Sequence, residues 1–239
     1  MSRGVALDGP PHMLENAKKN LLKWDQTYAW PKDGDEWQGQ AALCGVPYPT
    51  WKESLVQHLL VPHVAKQTHV IEIAPGHGRW TEYLVRLAGH VTIVDLGASC
   101  LDFCRSRFQA HSNVDYVLTT GDPLPLCAED RIDFVWSYDS FVHMDQQVIR
   151  AYLGEIRRVL KAGGSAILHH SNVEDPANHQ QDGAPGWRSA MSAELMRELA
   201  QDAGPSVSSQ FAYWDCEKRI GSPRFGDRFT QLKREIEAG

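Results

Sequence analysis

Two stretches of this 239-residue chain hold residue types that could do chemistry. The first is Val70-Ile71-Glu72-Ile73-Ala74-Pro75-Gly76-His77-Gly78-Arg79, with Asp95 seventeen residues beyond Gly78. A short apolar run ends in a small-residue turn, a helical pattern follows, and a second apolar run, His90 to Val94, ends in an acid. Glycines let a backbone approach a ligand closely, and an acid at the second strand tip accepts hydrogen bonds from ribose hydroxyls. The pattern is that of a pocket for an adenosine-containing cofactor. The second stretch is Ser137-Tyr138-Asp139-Ser140-Phe141-Val142-His143-Met144. Asp139 and His143 are four apart, so one helical turn would put them on one face. Histidine is the usual proton acceptor near neutral pH.

These residues need a scaffold that brings strand ends together. Apolar runs alternate with helical patterns along the chain. Strands are expected over 69–74, 90–95, 114–118, 132–137, 164–170 and 207–214, and helices over 79–88, 98–110, 145–160 and 189–202. Phe134-Val135-Trp136 and Ala166-Ile167-Leu168 are continuously apolar, as strands covered on both faces are. Lys161-Ala162-Gly163-Gly164 is a helix stop feeding the next strand. The expected fold class is α/β, a Rossmann-like, doubly wound, mostly parallel seven-stranded sheet. Ahead of it, residues 13–24 read as a helix, residues 25–50 as an aromatic-rich loop, and a further helix is expected from Pro49 to about Lys66. The domain division is 1–48 for an N-terminal helix and Trp-rich lid, and 49–239 for the sheet domain. The polar segment 171–188 follows a strand's C-terminal end, where ligands bind in open α/β sheets. The last part of 215–239, from about Asp227, reads as helical, serving an interface or capping the sheet.

Composition bounds the function. The formal net charge is −6, which argues against a nucleic-acid partner. No run of 18 apolar residues is present, so a membrane span is not expected, and the N-terminus lacks a signal-peptide pattern. Five cysteines without a C-x-x-C spacing fit a reducing cytoplasm. Cys100 and Cys104, one helical turn apart, read as packed helix residues rather than a metal or redox pair.

The turn narrows the choice of cofactor. A nicotinamide turn would place a third glycine where Thr81 stands, and there is no G-x-x-x-x-G-K-[ST] run for a triphosphate. Over roughly residues 50–214 the chain resembles class I S-adenosylmethionine-dependent methyltransferases. Glu72 to Gly78 resembles their E-x-G-x-G-x-G loop, with Ala74 for the first glycine. The resemblance implies that Glu72, Ala74, Gly76, Gly78 and Trp80 shape the methionine end and that Asp95 and Leu96 hold the ribose. It also implies that Gly121 and Asp122 meet the adenine, and that Ser137 and Tyr138 flank the methionyl part. Arg157-Arg158-Val159-Leu160-Lys161-Ala162-Gly163-Gly164 is similar to the R-x-L-K-P-G-G stretch of that family.

Methyl transfer needs donor and acceptor in line, and a hydroxyl acceptor needs a base, a metal or both. S-x-D-S-x-V-H, H-H-S-N (His169 to Asn172) and Trp187-Arg188 resemble bacterial sugar and polysaccharide O-methyltransferases, such as the mycobacterial methylmannose-polysaccharide type. That resemblance implies His143 as general base, with Asp139 orienting it or holding Mg2+. Asp139, His170 and Asn172 are the metal candidates, while His169, on the opposite strand face, reads as a core histidine. Tyr28, Trp30, Trp37, His170, Asn172, Trp187 and Arg188 are the candidate substrate contacts. The expected partner is a small molecule or oligosaccharide, with no nucleic acid and no membrane; a homodimer stays open. Two alternatives remain: a small-molecule N- or carboxyl-methyltransferase of the same fold, and a non-catalytic cofactor-binding module.

Overall fold

The computed structural model describes residues 13–30, 38–121, 124, 129–173 and 187–236. Among them, seven strands form one sheet in the order β3-β2-β1-β4-β5-β7-β6. They are β1 (His69–Ile73), β2 (His90–Asp95), β3 (Val114–Leu118), β4 (Ile132–Ser137), β5 (Leu160–His170), β6 (Ser206–Phe211) and β7 (Arg228–Lys233). β1 to β5 pair in parallel, and β7 enters antiparallel between β5 and β6. This is the doubly wound, mostly parallel α/β sheet expected from the alternation of elements.

Side-chain alternation decides what covers each face. Val70, Val91, Ile93, Phe134, Trp136 and Ile167 point to one side, where they meet α3 (Tyr48–Leu55, running on through Val56–Leu60), α4 (Thr81–Leu87) and α5 (Ala98–Arg107). Ile71, Ile73, Val94, Val135, Ala166 and Leu168 point to the other, under α6 (Gln146–Val159) and α7 (Ala193–Ala203). Asp145 starts α6 by accepting the N–H groups of Gln147 and Val148, and Ser192 caps α7 in the same way. The remaining helices are α1 (Glu15–Leu21), extended by a wide turn over Leu22–Thr27, and α2 (Gln38–Leu43).

Two expectations are corrected. Within residues 25–50, read as a loop, Gln38–Leu43 forms α2. The segment from Asp227 is a strand, not a helix. Arg228-Phe229-Thr230-Gln231-Leu232-Lys233 is followed by helix-favouring Arg, Glu and Ala, and that tail masks a short aromatic and β-branched run. Phe229, Thr230 and Leu232 are fully buried between β5 and β6, so burial overrides local propensity. β5 also begins earlier than expected, at Leu160. Its register with β4 shifts between Ile132 and Phe134, across Gly163 and Gly164.

Candidate active site

The C-terminal ends of β1, β2 and β4 converge on one cavity. After Ile73 the chain turns through Ala74 and Gly76, both at φ 55°. Ala74 there adopts a left-handed conformation that disfavours any side chain. A Cβ on Gly76 would come within 2.5 Å of the Trp30 ring. Glu72 is buried at the tip of β1, and the Thr81 hydroxyl donates to its Oε2 at 2.5 Å. Burial pushes its carboxyl up to about 8. Asp95 ends β2; its carboxylate accepts the Gly97 N–H at 2.7 Å and the Gly76 N–H at 3.4 Å. Burial pushes it up to about 7 despite these bonds.

The segment 13–30 forms the opposite wall. The Asn16 and Asn20 side chains both donate to the carbonyl of His143, at 3.2 and 3.1 Å. Asn20 Oδ1 accepts the Trp24 indole N–H, and Trp30 donates its own to the Trp24 carbonyl. Asp25 accepts the Ser99 N–H at 2.9 Å, which ties the wide turn to the start of α5. Trp30 stacks on His77 with ring centres 4.5 Å apart. Asn20, Trp24, Asp25, Tyr28 and Trp30 line the cavity with Glu72, Gly76, Arg79 and Asp95.

His143 sits in the 3-10 turn Phe141–His143 and is almost fully buried. Its ring lies between Trp24 and Trp187, at 4.8 and 4.6 Å. Its Nδ1 has no hydrogen-bond partner among the described residues. Burial first, then the Arg188 charge, holds its pKa well below the usual histidine value, so the imidazole is neutral at neutral pH. Its orientation comes from the two indoles and from a hydrogen bond to the Trp187 backbone. The Asp139 carboxylate instead meets Arg188 Nη2 at 3.3 Å.

The structure gathers most of the expected residues. Tyr28, Trp30, Glu72, Ala74, Gly76, Trp80, Asp95, Leu96, Gly121, Tyr138, Asp139 and His143 all line the cavity. Gly78 stands behind the turn, against Phe108 and Cys104, and the Ser137 hydroxyl donates to the Ile73 carbonyl inside the sheet. Trp187 is buried behind His143 rather than beside an acceptor. Trp37 and Asp122 lie outside the described residues.

The expected metal set does not assemble. His170 is buried with Nδ1 on the Ser171 carbonyl and Nε2 on the Thr230 hydroxyl at 2.7 Å. Burial lowers it to about 4, and it does not line the cavity. Asn172 Oδ1 accepts the Ala193 N–H at the start of α7. Strand alternation instead turns His169 toward Asp139, whose N–H donates to His169 Nδ1 at 3.2 Å. His169 is both a core histidine, stacked on Tyr138, and a neighbour of the cavity edge. Arg188 does not face the cavity as a substrate contact; it bridges Asp139 and Asp227. Sequence reasoning missed Asn16, Asn20, Asp25 and Asp227; it read His169 as a core histidine, which its burial bears out, without its contact with Asp139. The i, i+4, i+8 spacing of Asn16, Asn20 and Trp24 was a legible signal, since it puts all three on one helix face. Nothing local marked Asp227.

Residues 70–164 match the family model of a methyltransferase domain. The glycine/sarcosine/dimethylglycine N-methyltransferase of Actinopolyspora halophila is 28% identical over 126 residues, which is 50% of this chain and 21% of that protein. The squalestatin hexaketide synthase of a Phoma species is 28% identical over 121 residues, 46% of this chain and 4% of that protein. The chain thus spans well under a quarter of the length of these curated relatives. Geranyl diphosphate C-methyltransferase from Streptomyces coelicolor, solved with Mg2+, geranyl-S-thiolodiphosphate and S-adenosyl-L-homocysteine, shares the fold. Its TM-score is 0.68 at 16% identity, covering 94% of this chain and 100% of that one. No helix among the described residues is long and apolar enough to cross a membrane.

Proposed function

We propose that this chain, which carries a class I S-adenosylmethionine-dependent methyltransferase domain, methylates a hydroxyl of a small molecule in the cavity between residues 13–30 and the sheet. The residues present fit the cofactor: a glycine turn too close to Trp30 for any Cβ, and two buried carboxylates at adjacent strand tips. S-adenosylmethionine supplies an electrophilic methyl group when bound. Asp95 accepts ribose hydroxyls, Gly76 lets the backbone approach, and Glu72 closes the floor. The roles assigned to these residues are part of the proposal, as is a division into a lid segment at 1–48 and a catalytic domain at 49–239.

The observation that carries the hydroxyl reading is His143. It lines the cavity, is neutral and buried with its ring against two indoles, and its Nδ1, which has no hydrogen-bond partner among the described residues, is the nitrogen we assign as proton acceptor. The aromatic wall of Trp24, Tyr28 and Trp30 suits stacking on a ring, and a sugar is the first acceptor class to try.

A second reading is N-methylation of a small amine. It is favoured by the Asp139 carboxylate beside Tyr28 and Trp24, which together suit a cation, and by similarity to the sarcosine-methylating relative.

Calorimetric titration with S-adenosylmethionine, S-adenosylhomocysteine and NAD tests the base of the proposal. Micromolar binding of the first two alone is expected, and the absence of both would overturn it. A panel of mannosides, other sugars, phenols and amines then separates the readings. A hydroxyl acceptor gives a rate that collapses in His143→Ala. An amine gives a rate that is flat above the amine's own pKa and tolerant of that change.

A further inference from the structure

Asp139, His169 and Asp227 form a group of three potential metal ligands, with one donor atom from each within 4.8 Å of the others. Two of them are fully buried with unsatisfied atoms: His169 Nε2 and Asp227 Oδ1 have no hydrogen-bond partner among the described residues. By ligand type alone this is a divalent-cation site.

Two features of the cluster oppose that assignment. The first is the histidine tautomer. His169 Nδ1 accepts the Asp139 N–H at 3.2 Å, so the hydrogen of the neutral ring stands on Nε2. Nε2 is the nitrogen that faces Asp227, at 3.9 Å. It therefore offers that carboxylate a hydrogen, which leaves a metal only the two carboxylates as ligands. The second is charge. Arg188 Nε donates to Asp227 at 2.8 Å, and Nη2 reaches Asp139 at 3.3 Å. Phe225 lies under the guanidinium, 4.4 Å from its carbon, in a left-handed backbone conformation at φ 62°. Arg188 is itself buried, and its planar fork meets both carboxylates at once.

We infer that Arg188 is the resident cation of this cluster: it stands where a divalent ion would otherwise bind Asp139 and Asp227, and it positions Asp139 at the cavity edge. Asp139 needs such a hold because it sits at φ 59°. A guanidinium bonded to its carboxylate and a histidine accepting its N–H fix both ends of the residue. Mg2+ does not fit the cluster as it is built.

Titration of the whole chain with Zn2+ and Mn2+ tests this, with Asp227→Asn as the measure of background binding. Wild type and Asp227→Asn are expected to give the same weak isotherm. Saturable micromolar binding in wild type that disappears in Asp227→Asn would overturn the inference. Arg188→Met should then open the site, with Zn2+ binding at least about a hundredfold tighter than in wild type, because a positive charge has left two carboxylates. That gain should vanish in Arg188→Met/Asp227→Asn. A folded Arg188→Met chain that takes up no more Zn2+ than wild type would also overturn it. If Arg188→Met does not fold, the wild-type arm still decides. Neither arm depends on methyl transfer, so its failure is distinguishable from failure of the proposed activity.

Discussion

The side chain of Asn20 donates to the carbonyl of His143 from 123 residues away in sequence, at 3.1 Å. Asn16 donates to the same oxygen, and its own Oδ1 accepts the Asp145 N–H that opens α6. One face of α1 thus clamps the short turn that presents His143. Asn20→Asp keeps an acceptor for Trp24 but replaces the donating amide with an acceptor facing the carbonyl. We expect it to cost roughly 1–3 kcal/mol of stability, since a buried polar contact is lost outright. Turnover should fall more than cofactor affinity. Chemical denaturation and calorimetry on the same preparation check both.

Removal of the proposed base separates chemistry from binding. His143→Ala should lower turnover about 10²–10⁴-fold, the usual contribution of a positioned general base, and leave S-adenosylhomocysteine binding within a few-fold. Wild-type turnover would remove His143 from the mechanism. Burial and Arg188 hold this histidine well below its usual pKa, so it stays neutral as pH falls through that value. The acid limb it contributes to kcat/KM should lie below about 6.5, the value of an unperturbed histidine.

Glu72 makes stability depend on pH. Its folded carboxyl titrates at about 8, above the unfolded value, so the folded chain binds the extra proton between the two. Stability is therefore lost as pH rises through that window. Glu72→Gln keeps an acceptor for Thr81 and cannot ionise. Relative to wild type, the variant should gain thermal stability from pH 5 to about pH 8 and level off above it. A constant difference across that range in scanning calorimetry would count against the buried carboxyl.

Ala74 occupies a left-handed position at φ 55° where the related loop pattern carries glycine. Ala74→Gly should relieve strain of roughly 1 kcal/mol, less the entropy glycine adds to the unfolded chain. Gly76→Ala should do the reverse, because the new methyl meets the Trp30 ring. The double change Gly76→Ala/Trp30→Ala should recover part of that loss. Additive losses in the cycle would mean that the ring and the turn do not touch.

His169 and His170 are adjacent in sequence and opposite in consequence. His170→Asn should destabilise the fold through Thr230 and leave the acceptor KM unchanged. His169→Asn should disturb Asp139 and raise that KM. Steady-state kinetics on the two variants, at matched folded fraction, distinguish them.

Much of the fold was legible because its signals are local. Continuous apolar runs in β4 and β5 mark strands covered on both faces, and the glycine turn with Asp95 marks where the ends of β1 and β2 meet. The placement of Asp139 and His143 near that edge followed from β4 alone. Other features depended on contacts that no local pattern encodes. The β7 strand is fixed by burial of Phe229 and Leu232 between neighbours, against a helix-favouring tail. Which of His169 and His170 faces Asp139 depends on the phase of β5 after an irregular start, and a one-residue slip exchanges their faces. Arg188 and Asp227 are 39 residues apart in sequence, and only the insertion of β7 beside β5 brings them together. The sequence alone therefore determined the five parallel strands and the turn with Asp95 at their ends. Tertiary structure decided which charges meet behind them, because pairing at such separations is set by how strands and helices pack rather than by residue type.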